Sequence, residues 1–485
     1  MSLGESIRGG TKWLVTGNLG GRLLQFIFGI VLARLLVPAD FGMLVTIQIF
    51  TGIAGYFAGG GMGEALVQAK KVEPYDYKVI FCLQLMVGFV IFGIFFLVAP
   101  WFAQWFGNPL YVDLMRVSAL SFLLRPFSNM PSSILRREMR FKSTAKIMVI
   151  TMLLTGIASI VMAMQGMGVW SLVLGGLLGS IVSIVMLSWV TGWKPGFGFD
   201  KKIVRRLGGY GIKVSANEMI VYLREQTSNF IISRLIGATM VGLYNKADSL
   251  GKLPFQIISG SVYQPVFRAL SQEQDDVDKS KYIYFRTILL LTVYTLPFYI
   301  GLWWLAEPFI SIVYGEQWLF AAQPLSILSI AGIFLCVSHP SGALLAARNL
   351  LGLEIKVQII AWLMVIVGGL IGIQWGISGV AWSVVITQGY FAVHMYWYSM
   401  KAISVTCADL VKALAPGFLL NIILLFVFIG AHIVSIARGF DENPLLYFTT
   451  MSSFGCLAYV IAFLYMPIPE LKNEAEKWKG KLGRR

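Results

Sequence analysis

Long apolar segments constrain what this chain can fold into more than any other feature of its sequence. A segment that crosses the hydrocarbon core of a membrane needs about 20 apolar residues and must satisfy its own backbone hydrogen bonds, which a helix does. Fourteen such segments lie at about 11–36, 42–66, 78–98, 112–134, 145–165, 169–191, 209–236, 241–266, 285–306, 322–346, 356–375, 378–400, 412–434 and 444–466. These segments predict a polytopic membrane protein. Because the connections between them are short, no soluble domain is expected.

Composition agrees with this interpretation. Of the 485 residues, 57% are hydrophobic and 13% are charged, whereas soluble proteins have about 45–50% and about 25%. An ordinary soluble enzyme is therefore excluded.

The basic residues predict how the chain is oriented. Of the 39 lysines and arginines, 30 fall at the chain ends and in alternate connections, one (Arg438) falls in the opposite connections, and eight lie inside the apolar segments. Cytoplasmic connections carry the excess of these residues, so both termini are predicted to be cytoplasmic and the number of helices even. The net charge of +15 thus reflects topology, and no nucleic-acid partner is expected.

The sequence contains no pattern typical of catalysis or metal binding. The cysteines lie far apart, without a CxxC pair or a Cys/His cluster, at Cys82, Cys336, Cys407 and Cys456. Neither a metal site nor a disulfide framework is predicted. Walker A, GxSxG and HExxH sequences are also absent, so we expect no enzyme and no cofactor. Transport would then be driven by an ion gradient or by the gradient of the substrate itself.

An internal repeat with an offset of about 200 residues divides the chain. The matching stretches are 33–42 with 233–242, 100–107 with 308–315, and 168–173 with 379–385. Each pair falls at the same place in a unit of six segments. The repeat predicts two six-helix lobes, two further helices and a basic cytoplasmic tail, at 1–193, 194–401, 402–466 and 467–485. Transporters commonly bind a substrate between two such halves and expose it alternately.

Charged and polar side chains inside the apolar segments mark the candidate site. A charge at the bilayer centre costs at least ~2.5 kcal/mol and usually faces a bundle interior or a wet cavity. The candidates for substrate binding are Arg22, Arg116, Arg125, Arg224, Lys246, Lys252, Asn18, Gln25 and Asn217. The candidates for binding a coupling ion are Glu64, Glu218, Glu225 and Asp248. The surplus of cations predicts a cavity for a phosphate, a diphosphate or an acidic sugar.

Some of these residues have an equally simple structural explanation. Asp248 and Lys252 lie one helical turn apart and fit an intrahelical ion pair. Each glutamate fits a pair with a neighbouring arginine. Arg34 and Arg234 occupy equivalent repeat positions near the outer helix ends, where capping or snorkelling explains them. Arg22, Arg125 and Arg224 have no acidic residue four positions away and are the stronger candidates for a cavity.

Three stretches resemble the motifs of a known family. They are LARLLVPADFG (Leu32 to Gly42), PSSILRREMRFK (Pro131 to Lys142) and ISRLIGATMVGLYNKA (Ile232 to Ala247). In this order and with this topology, the chain resembles the polysaccharide transporter branch of the multidrug/oligosaccharidyl-lipid/polysaccharide exporter superfamily, which includes Wzx-type O-antigen and colanic acid exporters and teichuronic acid exporters. The resemblance implies an all-α, MATE-like fold with fourteen transmembrane helices, in which Arg34, Gly42, Arg234 and Gly242 are fold elements.

The resemblance also implies a function. It implies a flippase of the bacterial plasma (inner) membrane that moves an undecaprenyl-diphosphate-linked oligosaccharide by alternating access, with H+ or Na+ antiport. The expected partners are the bilayer, the anionic lipid-linked oligosaccharide, and polysaccharide polymerase and chain-length proteins, and the expected state is a monomer.

Three alternatives remain open. A multidrug or cation antiporter of the same superfamily would have a cavity rich in acids, and a lipid II flippase would be essential for wall synthesis. A membrane glycosyltransferase or polymerase would need a large outer loop with catalytic residues.

Overall fold

The computed structural model describes residues 20–258 and 262–482, and these ranges are almost entirely helical. The helices up to the middle of the chain are α1 (20–35), α2 (Pro38–Gly55), α3 (Gly61–Gln68), α4 (Pro74–Phe106), α5 (Tyr111–Arg137), α6 (Phe141–Met164), α7 (Val169–Thr191), α8 (Lys201–Ile203) and α9 (Gly209–Leu235). Those that follow are α10 (Ala238–Ile258), α11 (Tyr263–Gln272), α12 (Val277–Tyr314), α13 (Ala322–Ala347), α14 (Leu351–Gly372), α15 (Gly376–Ile403), α16 (Cys407–Ala437), α17 (Pro444–Tyr465) and α18 (Lys472–Leu482). Two π-type turns, Tyr56–Gly60 and Val204–Gly208, lead into α3 and α9.

Within the described ranges, which leave out residues 11–19 of the first predicted segment, helices occupy the predicted apolar segments, with three clear differences. The second segment, predicted at 42–66, is interrupted by the π-type turn Tyr56–Gly60. The eighth segment, predicted at 241–266, is divided between α10 and α11. The ninth, predicted at 285–306, is the middle of a helix of 38 residues. This helix, α12, begins in a polar stretch where the Asp276 side chain accepts a hydrogen bond from the Lys279 backbone N–H at 3.0 Å. A search for apolar runs misses such a start because an N-cap needs no hydrophobicity.

Membrane-crossing character is strong in most of these helices. Within the described ranges, nine helical stretches are long and apolar enough to cross a membrane. One of them, Gly352–Ile403, has 52 residues and contains both α14 and α15, enough for two crossings of a core about 30 Å thick. The described helices α5, α9 and α10 fall below this apolar limit. The chain is therefore an all-α, multi-pass membrane protein.

The described residues form two compact units, which divide between Gly242 and Leu243. The first unit packs a core of α2, α4 and α5 around the fully buried Leu114 and Phe122. The second packs α11, α12, α13 and α15 around the buried Tyr284, whose hydroxyl is hydrogen-bonded to the Ser341 hydroxyl at 2.8 Å. The predicted lobe boundaries, by contrast, rest on the sequence repeat alone and remain a prediction.

The start of α10 crosses the start of α2 at two glycines that the repeat relates, Gly42 and Gly242. A Cβ atom at Gly42 would overlap the carbonyl group of Ala238, and one at Gly242 would overlap the carbonyl group of Pro38. Ala238 lies four residues before Gly242, and Pro38 lies four residues before Gly42, so the two contacts are equivalent. Small residues let transmembrane helices approach this closely, so the glycines of the family motifs have a direct structural role.

Two arginines of the central family motif, Arg136 and Arg137, hold α3 in place. Arg136 forms an ion pair with Glu64. Arg137 Nη1 donates to the carbonyl oxygens of Leu66 at 2.9 Å and Ala69 at 2.6 Å. These carbonyls lie at the C-terminal end of α3, where helix carbonyls have no intrahelical partner and a cation is favoured.

The C-terminal helix α18 is docked by polar contacts. Arg286 of α12 pairs with Glu474 at 2.8 Å, and Trp478 Nε1 donates to the Tyr294 hydroxyl at 2.9 Å. Burial by itself would raise the pKa of the Glu474 carboxyl, but the hydrogen bonds from Lys477 and Arg286 hold it below its usual value of 4.5. Glu474 is therefore an ionised anchor for this helix.

Candidate substrate site

The second membrane-crossing stretch, Pro38–Gln68, is interrupted along its length. Residues Tyr56–Gly60 form a π-type turn, and Gly59 has a φ of 113°, a conformation that a side chain rarely tolerates. An interruption within a membrane must find partners for its backbone groups among neighbouring helices. The partners here are the side chains of Arg125 on α5, Gln84 on α4 and Ser215 on α9. Broken helices of this kind commonly line a transporter cavity.

Arg125 contributes its guanidinium group to this break. Its Nη1 donates to the Gly55 carbonyl oxygen at 2.6 Å, and the contact is partly buried. A Cβ at residue 55 would lie 2.8 Å from Nη2 and 2.9 Å from Cζ, so a larger residue there would displace the guanidinium. In the part of the chain that the structure describes, this is the guanidinium's one hydrogen bond. Its other N–H groups are therefore able to bind an anion.

One face of α9 lies beside Arg125. Glu218, Tyr222 and Glu225 are spaced four and three residues apart, so they share that face. The Tyr222 hydroxyl donates to a backbone carbonyl of α2 at 2.6 Å, and its ring centroid lies 5.6 Å from that of Tyr56. The charges of Glu218, Glu225 and Arg125 all act on the Tyr56 hydroxyl. Both carboxylates are exposed, so solvent reaches them.

Arg116 is on the other side of α5 from Arg125. Nine residues separate the two, which is about half a turn at about 100° per residue. Arg116 Nε donates to the Phe96 carbonyl oxygen at 3.4 Å, and its Cζ lies 4.3 Å from the Phe96 ring centroid. The structure therefore places Arg116 against α4 and not beside the break in α2.

The remaining candidates of the first unit are on α1 and α9. Arg22 and Gln25 are exposed on α1. Arg224 is partly buried on α9, about 120° around the helix from Glu218. Asn18 and the side chain of Asn217 lie outside the described residues.

Two of the four predicted coupling carboxylates are held in ion pairs. Glu64 pairs with Arg136, as described above. Asp248 pairs with Lys252 of the same helix, with an Nζ–Oδ2 distance of 2.7 Å. The structure thus contains the intrahelical pair that the sequence spacing allows. Glu218 and Glu225 form no ion pair within the described ranges.

Lys246 of the second unit lies among aromatic rings. Its Nζ is 4.9 Å from the Tyr314 ring centroid and 5.2 Å from that of Trp318, which is fully buried. Cation–π contacts of this kind stabilise a partly buried ammonium group. The sequence indicates a cation in a membrane segment but does not reveal its aromatic surroundings.

Sequence reasoning missed four members of the cluster around Arg125: Tyr56, Gln84, Ser215 and Tyr222. Gln84 could have been found, because it is an amide inside the third apolar segment. The other candidates were chosen by the same criterion, a polar side chain within an apolar segment. The run of glycines at 59–61 is a second missed signal, since it weakens a helix at that position.

Sequence comparisons place the chain among proteins of glycan biosynthesis. The family model described as "Polysaccharide biosynthesis protein" matches residues 31–323. The chain is 23% identical over 368 residues to lipopolysaccharide biosynthesis protein WzxC of Escherichia coli strain K12, covering 74% of this chain and 73% of the relative. It is 26% identical over 320 residues to succinoglycan biosynthesis transport protein ExoT of Rhizobium meliloti, covering 66% and 65%.

Solved structures with a similar fold include transporters. The lipid II flippase MurJ, in an inward closed conformation, matches with a TM-score of 0.72 and 17% identity over 92% of this chain and 97% of that chain. An inward-facing multidrug resistance MATE transporter of the MOP superfamily matches with a TM-score of 0.64 and 17% identity over 79% and 94%. At this identity the likeness concerns the fold. Because the family model covers more than half of a chain with this fold, the protein belongs to the polysaccharide biosynthesis protein family.

Proposed function

We propose that this protein is a flippase, and not an enzyme, that moves polyisoprenyl-diphosphate-linked oligosaccharides across the bacterial plasma membrane by alternating access. Family membership and the names of the two relatives support this function. The proposal includes fourteen crossings, cytoplasmic termini, the lobes 1–193 and 194–401, the helix pair 402–466 and the tail 467–485. It also includes polymerase and chain-length proteins as partners.

The observation that carries the proposal is the Arg125 guanidinium at the break in α2. A diphosphate is the charged part of the proposed substrate, and arginine binds its oxygens through paired, charge-assisted hydrogen bonds. Arg125 has N–H groups available for this purpose beside the break in the membrane-crossing stretch Pro38–Gln68. We assign Arg125 to diphosphate binding and keep Arg22, Arg224, Lys246 and Lys252, with the amides Asn18, Gln25 and Asn217, as further candidates.

Ion coupling is proposed for Glu218 and Glu225. Both are exposed on the α9 face beside Arg125, whereas Glu64 and Asp248 are occupied by ion pairs. Protonation of these carboxylates would change the charge next to the bound diphosphate. Such a change is one way for a proton gradient to alter substrate affinity between the two faces of the membrane.

The test is export by variants at Arg125 in a strain that lacks the chromosomal gene. Arg125→Ala should lower export of lipid-linked oligosaccharide at least tenfold at equal protein level, since a hydrogen bond to a charged group contributes about 1.5–3 kcal/mol. Arg125→Lys should recover only part of it, because lysine lacks the planar pair of donors. Arg224→Ala is expected to lose export as well.

Arg116→Ala is the matched control on the same helix. It removes an arginine whose contacts are with Phe96, so export should stay within about twofold of wild type, as for an exposed contact worth no more than about 0.5 kcal/mol. Wild-type surface glycan in the deletion strain would reject the flippase function. Wild-type export by Arg125→Ala would reject only the site.

A second candidate function is antiport of cationic drugs. Two exposed carboxylates beside the rings of Tyr56 and Tyr222 favour a cationic ligand. Glu218→Gln with Glu225→Gln would then raise the accumulation of a cationic dye in cells, and glycan export would be unaffected. The flippase proposal predicts that the same double variant lowers glycan export and leaves dye accumulation unchanged. A lipid II flippase would be distinguished by lethality of the deletion through failed wall synthesis.

A further inference from the structure

An apolar recess on the last third of α4 is not used by the proposed transport site. Six residues of α4 between Ile94 and Trp105 line it, together with Phe50 of α2 and Met115 of α5, and its volume is about 340 Å³. The recess opens to the surface of the unit, where Trp101 is 66% exposed. Its walls are aromatic and aliphatic side chains.

The position of the recess restricts what can occupy it. It belongs to the membrane-crossing stretch Pro74–Phe106, so a hydrocarbon chain is the available ligand. From Ile94 to Trp105 the helix rises about 16 Å. This is about half of a hydrocarbon core about 30 Å thick. The recess is therefore short enough to fit within a single leaflet, and it suits a single chain.

A cation marks one end of the recess. The Cζ of Arg234 lies 5.4 Å from the centroid of the Trp105 ring, the last wall residue of α4. Phe230, one turn earlier on α9, contacts the same ring at 6.0 Å. Arg234 is exposed and forms no ion pair within the described ranges. An apolar recess that ends at such an arginine matches a hydrocarbon chain with an anionic headgroup.

We propose that the recess binds the isoprenoid chain of a polyisoprenyl diphosphate, with the diphosphate against Arg234. The identity of this lipid rests on the proposed function. Because the basic residues predict a cytoplasmic start for α4, the end at Trp105 lies on the outer side. The recess then holds the carrier lipid in the outer leaflet after translocation, as a second site in addition to Arg125.

The test is lipid binding to the purified full-length protein carrying Arg125→Ala, which removes the first site. Native mass spectrometry would measure binding of undecaprenyl diphosphate, undecaprenol and phosphatidylglycerol. Val98→Trp fills the recess and should weaken binding of both isoprenoids roughly tenfold. Arg234→Ala should weaken binding of undecaprenyl diphosphate about fivefold and leave undecaprenol unchanged.

Two matched controls separate the recess from general effects. Leu97→Trp adds the same ring one residue away, at a side chain that does not line the recess, and Arg438→Ala removes an exposed arginine of another predicted outer connection. Both should bind all three lipids like the parent protein. Ile94→Trp is a second filling variant in case Val98→Trp does not fold.

Two results would overturn the proposal. One is wild-type isoprenoid binding by a folded filling variant. The other is binding of phosphatidylglycerol that is as tight as that of undecaprenyl diphosphate and is weakened as much by Val98→Trp. That result would make the recess a site for ordinary phospholipid. Wild-type surface glycan in the deletion strain, together with intact recess binding, would instead count against the proposed function alone.

Discussion

Replacement of Gly42 by alanine tests the glycine crossing of α2 and α10 directly. The added Cβ would overlap the Ala238 carbonyl group and come within 3.1 Å of its Cα, whereas non-bonded carbon atoms lie about 3.5–4.0 Å apart. The obstacle is backbone, which no rotamer change can move. The two helices must therefore separate, and overpacking of this kind typically costs about 1–3 kcal/mol.

The expected result is a lower melting temperature of the purified protein, followed by the fluorescence of its 14 tryptophans. A unit of this size melts about 2–4 °C lower for each kcal/mol lost, so Gly42→Ala should melt about 2–12 °C below wild type. Gly242→Ala should behave similarly, because its Cβ would come within 3.0 Å of the Gly42 backbone nitrogen. The double variant should lower the melting temperature by less than the sum of the two single variants, since both changes act on one contact.

Gly93→Ala of α4 is the matched control. Apart from the nearby backbone of its own helix, no heavy atom lies within 4 Å of its added Cβ, and alanine is a better helix former by about 1 kcal/mol. Its melting temperature should equal or exceed that of wild type. If Gly42→Ala melts as high as Gly93→Ala, the two helices do not cross at the glycines and the reasoning fails.

Three further predictions concern the polar contacts. Arg286→Ala removes the partner of Glu474, whose side chain is 17% exposed, so limited proteolysis should cleave α18 faster; an unchanged rate would contradict the docking. Because the Glu474 pKa is held below its usual 4.5, the docking should persist as the pH falls to 4.5 and be lost only when the pH falls through the lower folded value; loss at neutral pH in the same assay would refute this. Arg206→Ala leaves the Asp76 carboxylate, which is 6% exposed, without the ion-pair partner at 3.0 Å. The free energy of unfolding should fall by about 1–2 kcal/mol, a range that allows for the exposure of the arginine. Adding Asp76→Asn should restore part of the melting temperature, and no restoration would show that the unpaired charge is not the cause.

The cations in the membrane segments illustrate what can be predicted and what cannot. Hydropathy places Arg116 and Arg125 in the same helix, and both satisfy the rule for a candidate site. Their contacts differ because nine residues turn a helix through about half a revolution. Arg125 reaches the Gly55 carbonyl, whereas Arg116 lies against Phe96. Counting charged residues in the sequence does not distinguish these two environments.

The acidic candidates depend on tertiary contacts in the same way. Asp248 and Lys252 could be paired from sequence because the partners are one turn apart on one helix. The pairing of Glu64 with Arg136 could not, since 72 residues separate them. Only the packing of α3 against α5 brings this carboxylate to its arginine.

The sequence by itself determined where most of the apolar helices lie and to which family the chain belongs. A membrane core requires each crossing segment to be apolar and to satisfy its own backbone hydrogen bonds, so this information is local. Tertiary structure decided which of the polar side chains meet at the break in α2. Those contacts join residues 25 to 154 positions apart, and they depend on how each helix is rotated against its neighbours, which local hydropathy does not specify.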